Sequence, residues 1–351
     1  MPRPLSRTDL DLKAHQEWLG YLQPVGLVVA PAAMVDAGWV VEQGGRELVE
    51  RQELFREGLR PLAIAGNETE EPEDPLDADP DALRGFPSLE ALLVDQLHWV
   101  ASAIDRDPER LQQWTRELHE LGETLRPTAV VPGFEADGKP QLLIQELRPT
   151  AEGIPVELDR RQAGGEQGWR ATPQERFERL LRECGVEQGL LFSGDRLRLV
   201  VAPRGESSGH LTFHLPELAE VGGRAMLAGL RRLLGREAVL DAGPGLRLVD
   251  VIQASRSYQA EVSEALADQV LAGLWALLRG FQRAEQLSAG LGEPLWGDLP
   301  ERDPQHLYGG LVTVMLRLVF LLYAEDTDLM PSEPVFEQNY KLTTLLAQLQ
   351  R

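Results

Sequence analysis

The chain has 351 residues, of which 43% are hydrophobic and 26% charged, with a single cysteine. That is a globular composition with room for two or three packed units, and it excludes a fibre or a mostly disordered polymer. A formal charge of -21 argues against a protein that coats a polyanion along its length, because neutralising phosphates takes exposed Lys and Arg; any nucleic-acid contact must be local. The lone Cys184 excludes an internal disulfide, and the N-terminus lacks the apolar core of a secretory signal, so a reducing, cytoplasmic setting is expected.

In chain order, residues 15–35 open as an amphipathic turn, stop at Pro24 and continue as an apolar run over 25–30, which suggests a small docking element. Residues 46–60 read as a helix with Leu48, Leu54, Phe55 and Leu59 on or near one face, ended by Pro61. The stretch NETEEPEDPLDADPD at 67–81 is acidic, free of aromatics and expected to be a solvated linker. Helical spacing over 89–121, broken at Asp107 and Pro108, predicts a helix pair. Period-two or continuous apolar runs then predict five strands at 128–131, 141–147, 188–193, 196–202 and 210–215.

Between the second and third strands, TPQERFERLLRECG predicts a helix capped by Thr172, with Pro173 at its first position and Gly185 at its stop. Ser193-Gly194-Asp195 makes a tight turn into the next strand. Two more helices follow, at 224–234 and 258–286; in the second, Val262, Leu266, Val270, Leu274 and Leu277 step along one face. Gly and Pro break the period over 287–304, after which GGLVTVMLRLVFLLYAE is apolar nearly all round and is expected as a buried central helix. Its most apolar part, 311–324, holds Arg317 and is followed by Glu325 and Asp326, so it reads as too short to span a membrane. The expected organisation is a docking segment at 1–66, an acidic linker at 67–85, an α/β domain at 86–216 and an all-α helical connector at 217–351.

One spacing invites a catalytic test. An acidic group near a hairpin, Glu135 or Asp137, precedes a strand carrying Glu146 and Arg148 in QLLIQELRP. In metal-dependent nucleases of the PD-(D/E)xK type, the carboxylates hold Mg²⁺ and the Lys of E-x-K orients or activates water. Here Arg148 replaces that Lys and cannot act as an ordinary base, and Gly133 stands where an Asp would be needed unless Asp137 compensates. DAGPG at 241–245 imitates the glycine loop of an S-adenosylmethionine fold, but no βαβ unit follows and a simple turn is the plainer reading. No N-P-P-Y or D-P-P-Y segment is present, so the chain encodes no recognisable methyltransferase site. His210 and His214 share a strand face about 13 Å apart, too far for one metal ion. Arg160, Arg161, Arg204, Arg231 and Arg232 are candidate phosphate contacts, although exposed salt bridges account for them as well.

Four blocks, at 15–31, 171–213, 255–281 and 308–333, resemble the N-terminal region of Eco57I-like restriction-modification DNA methylases, close to the adenine methylase of DISARM phage-defence systems; the last two are the most specific. The resemblance implies a degenerate PD-(D/E)xK nuclease-like α/β domain joined to a helical connector, with Glu146 and Arg148 as relics of E-x-K. It further implies that S-adenosylmethionine is bound by a class I methyltransferase domain or partner subunit outside this sequence, which stops near Arg351 where the connector would lead on. DNA and other defence-system subunits are the implied partners. Two other readings stand beside it: an active Mg²⁺-dependent endonuclease, and an acidic protein-interaction scaffold without a DNA role.

Overall fold

The computed structural model describes residues 6–62, 83–134, 138–150, 154–164, 169–290, 292, 295, 297–327, 329–331 and 333–349. Most of the acidic segment, together with Glu135 and Asp137, lies outside the described residues, as does the side chain of Val262. The fold is mixed α/β, 55% helical, with small sheets and no closed barrel among the described residues. It divides into two compact units, Met1–Gln259 and Ala260–Arg351. This partition differs from the expected boundary at 216, because residues 217–259 pack into the first unit's core through Leu227, Leu230, Leu234, Val239 and Val251.

The first unit opens with helices α1 (Arg7–Leu22), α2 (Pro31–Asp36) and α3 (Arg46–Gly58), then a two-stranded pair, β1 (Arg60–Pro61) with β2 (Arg84–Gly85). Ser6 caps α1 in a reciprocal capping box with Asp9. In α3, Leu48 and Phe55 are buried and Leu59 follows them inside, whereas Leu54 turns to solvent. The N-terminal segment is thus part of the main core: Trp18, Val28, Met34 and Trp39 join Leu48 and Phe55 against one face of the sheet. Val25 bridges to His210 at the sheet edge instead of forming a strand of its own.

The expected helix pair over 89–121 does not form. Helix α4 (Leu89–Ala91) runs into a π-helical turn, Leu92–Gln96, and stops where His98 takes a φ of 61°. Helix α5 (Pro108–Gln112), capped by Asp107, ends after little more than a turn, and β3 (Arg116–Leu118) pairs antiparallel with β4 (Glu123–Leu125). The apolar residues Trp114, Leu118 and Leu121 fit either period over so short a run. Cover for the sheet decides it: Leu111, Leu118 and Leu125 pack together against the second face.

The five expected strands are present as β5 (Ala129–Pro132), β6 (Pro140–Glu146), β9 (Gln188–Phe192), β10 (Arg196–Val201) and β11 (Gly209–His214), separated after β6 by the hairpin β7 (Gln162–Gly164) and β8 (Trp169–Ala171). Their order is β11-β10-β9-β6-β5, antiparallel except for the parallel pair β6 and β9, whose crossover contains α6 (Pro173–Cys184). Alternation places Ala129, Val131, Leu142 and Ile144 on one face, and Val130, Leu143, Leu191 and Val200 on the other with Phe177, Leu180 and Leu181 of α6. Helix α6 has the capping box formed by Thr172 and Glu175, and stops at Gly185 in the left-handed conformation. A Cβ on Gly189 would lie 2.5 Å from the Phe177 ring and 2.6 Å from the Leu143 carbonyl, so glycine is what lets α6 settle on the sheet.

After β11 come α7 (Leu215–Leu218), α8 (Arg224–Leu234) and the long α9 (Leu248–Gly290), which starts earlier than its apolar period suggests. The second unit holds the rest of α9 with α10 (Leu299–Arg302), α11 (Pro304–Asp326), α12 (Pro334–Asn339) and α13 (Leu342–Leu349). Two expectations fail for α11. Only Leu311, Ala324 and Glu325 are buried, while Leu316, Val319, Phe320 and Tyr323 are exposed among the described residues. Being continuous over 23 residues, with an 18-residue window of mean hydropathy 1.8, it is long and apolar enough by length and composition to cross a membrane.

Candidate nucleic-acid interface

The parallel pair sets the location. In open sheets, ligands favour the crevice beyond the carboxyl ends of parallel strands; here β6 ends at Glu146 and β9 at Phe192, and a cleft of about 640 Å³ opens beside them. Its walls include Phe86, Arg106, Arg126, Pro127, Thr128, Glu146, Arg148, Pro149, Phe192 and Gly194. Pairing of Ala129 with Ile144 brings the chain entering β5 alongside the chain leaving β6, so two Arg-Pro dipeptides, 126–127 and 148–149, meet at one rim. The Thr128 hydroxyl ties them together, donating to the Ile144 carbonyl (3.1 Å) and accepting from the Glu146 N–H (2.9 Å).

Glu146 is already occupied. The Leu89 N–H at the start of α4 donates to its Oε1 (2.9 Å), and both terminal nitrogens of Arg106 lie 3.3 Å from its Oε2. Arg106 also lies 3.7 Å from Glu90. A carboxylate held by a guanidinium and a helix N–H is a poor cation ligand, and no group of three or more His, Cys, Asp or Glu among the described residues could hold a metal ion. The described part of the E-x-R motif therefore does not fit Mg²⁺, and its proposed acidic companion, Asp137, lies outside the described residues.

Arg126 and Arg148, by contrast, are exposed, and neither has an ion pair or side-chain hydrogen bond among the described residues. Both also line an adjoining groove of about 310 Å³ with Val156, Gln162 and Arg176. There Arg176 is held by Glu123 (2.8 Å) and lies over the Trp169 ring. Val156 and Gln162 continue into a third depression, of about 540 Å³, lined by Arg160 and Arg161. Guanidiniums thus recur along one connected surface of an acidic protein.

The other candidates are placed differently. Arg160 lies on this surface; Arg161 lies on it too but pairs with Glu175 (3.2 Å). Arg204 donates to the carbonyls of Arg182 (2.6 Å) and Glu183 (3.2 Å), closing the last turn of α6. Arg231 and Arg232 are half-buried, and burial lowers both pKa values; Arg232 stacks over Trp39 and pairs with Glu237. Arg204 and Arg232 are thus engaged within the fold. Asp159 braces the groove loop from beneath, its carboxylate gripping the buried Arg198 guanidinium at 2.7 and 2.8 Å, with Thr212 and Gln174 completing the shell. That guanidinium holds the Asp159 carboxyl below its ordinary range. Beside it His210 is pushed down by burial and then by Arg198. Cys184, its thiol 3.2 Å from the Trp114 carbonyl, is pushed up to about 11 by burial.

Sequence reasoning missed Arg106 and Arg126. The available signal was the repeated Arg-Pro dipeptide next to two strand ends, which becomes informative only once those strands are known to be neighbours. No protein family, curated protein or solved structure matches the chain.

Proposed function

We propose that this chain is the non-catalytic, nuclease-like and helical portion of a DNA adenine-N6 methyltransferase system of bacterial restriction-modification or phage defence. In this reading the α/β unit is a degenerate PD-(D/E)xK domain that contacts DNA locally, and the helices brace a methyltransferase domain or subunit. S-adenosylmethionine and the methyl transfer belong to that partner. The observation that carries the reading is an occupied Glu146 at one cleft with Arg126 and Arg148, which have no ion pair among the described residues: the carboxylate is committed to Arg106, while the two guanidiniums are available to phosphate.

An active Mg²⁺ endonuclease would need Glu146 free and a second carboxylate beside it. Incubating supercoiled plasmid with the chain and Mg²⁺ separates the two: the proposal expects no nicking, and nicking abolished by Glu146→Ala would replace it. Purification from the native host followed by mass spectrometry tests membership of the system. A methyltransferase polypeptide, copurifying or continuous with this chain, is the expected result. An isolated chain that also fails to bind duplex would favour the acidic scaffold.

A further inference from the structure

The cleft beyond β6 and β9 is more specialised than a general phosphate contact requires. With Arg106 matched to Glu146, the described side chains lining it leave two positive charges, Arg126 and Arg148, both directed to the same concavity. The remainder of the lining is largely apolar, including Leu62, Phe86, Pro127, Leu147, Pro155 and Phe192. At about 640 Å³ it has the size of a small-molecule site: a duplex backbone would reach only the guanidiniums at its rim, whereas a nucleotide fits inside. A backbone phosphodiester carries one negative charge, whereas a phosphomonoester carries about −1.5 to −2 at neutral pH. Two guanidiniums lining one concavity together with apolar residues therefore match a dianion attached to a flat, weakly polar group.

We propose that this cleft binds a nucleotide through its terminal phosphomonoester, the two arginines clasping the phosphate and the apolar wall receiving the base. The inference rests on reading the cleft as a nucleic-acid contact, and it adds to the backbone contact at the rim a tighter ligand inside, a phosphorylated strand end or a free nucleotide.

The test uses the full chain and fluorescently labelled 12-nucleotide single strands bearing either a 5′-phosphate or a 5′-hydroxyl. The phosphorylated strand is expected to bind about tenfold or more tightly, and Arg126→Ala or Arg148→Ala each to remove most of that preference, since charge-assisted hydrogen bonds are lost. Arg46→Ala, at an exposed residue paired with Glu50 away from the cleft, should leave it unchanged. Equal affinity for the two strands, or a preference that survives in the double variant with an unchanged urea midpoint, overturns the proposal. Competition by adenosine 5′-monophosphate separates the sources: displacement at an affinity equal to the strand's assigns the site to free nucleotides, and weaker displacement assigns it to strand ends. A covalently closed circular duplex keeps the two readings apart. Binding to the circle without a preference for the phosphorylated strand removes this inference alone, whereas a preference without binding to the circle removes the general DNA contact.

Discussion

Replacing Asp159 with Ala should destabilise the first unit by an amount that the structure bounds. The Arg198 side chain is only 4% exposed and its guanidinium is held at two points by Asp159. Removing one partner of a fully buried pair costs about 3–5 kcal/mol, because a charge is left uncompensated. Here the Asp159 side chain is 66% exposed, so water can reach the vacated carboxylate position, and Thr212 and Gln174 still accept from Arg198. Discounted for that screening, the expected cost is about 1–2 kcal/mol, which in a unit of this size lowers Tm by about 2–8 °C. Differential scanning calorimetry at several pH values supplies the assay. Arg198 lowers the folded-state pKa of Asp159, so the contribution is present above the unfolded carboxylate value, near 3.9, and is lost as pH falls through the still lower folded value. The gap between wild type and Asp159→Ala should therefore be full at pH 7 and close under acid. A gap that is absent at pH 7, or that widens on acidification, would refute the reasoning.

Three further outcomes follow from the same packing. Gly189→Ala forces a methyl group against the Leu143 carbonyl and the Phe177 ring, and should lower stability by about 1–3 kcal/mol, read as a fall in the urea midpoint. Thr172→Ala removes the cap of α6 and should cost about 1 kcal/mol by the same measurement, with Thr172→Ser restoring most of it. Cys184, half-buried with its pKa raised to about 11, stays protonated at pH 8, so iodoacetamide should label it slowly in the folded protein and rapidly in urea, as followed by intact mass.

What was legible in the sequence was mostly local. Each of the five sheet strands carries enough apolar residues for its period to stand out, and Thr172, Pro173, Glu175 and Gly185 mark both ends of α6 by chemistry that acts within a few residues. The segment Trp114–Leu121 was not legible, because its apolar spacing satisfies a helix and a strand alike and only Leu111 and Leu125, brought alongside by the fold, settle it. Helix α11 misled for another reason: an apolar circumference says what a helix needs covered, not whether the described elements cover it. At the candidate site, Glu146 and Arg148 could be picked out by their spacing, but Arg106, which commits the carboxylate, and Arg126, which doubles the free charge, come from other strands and loops. Their meeting depends on the β5 and β6 register, a long-range property with no local sequence mark.

The central claim is that Arg126 and Arg148 meet nucleic-acid phosphate. Its most direct test is the salt dependence of duplex affinity for the wild-type chain and for the Arg126→Ala/Arg148→Ala variant, measured by fluorescence anisotropy from 50 to 200 mM salt as round working limits. Each lost phosphate contact should reduce the slope of log affinity against log salt by about 0.9, so the double variant should bind more weakly with a slope shallower by nearly 2. Identical affinities and slopes for the two proteins would contradict the account.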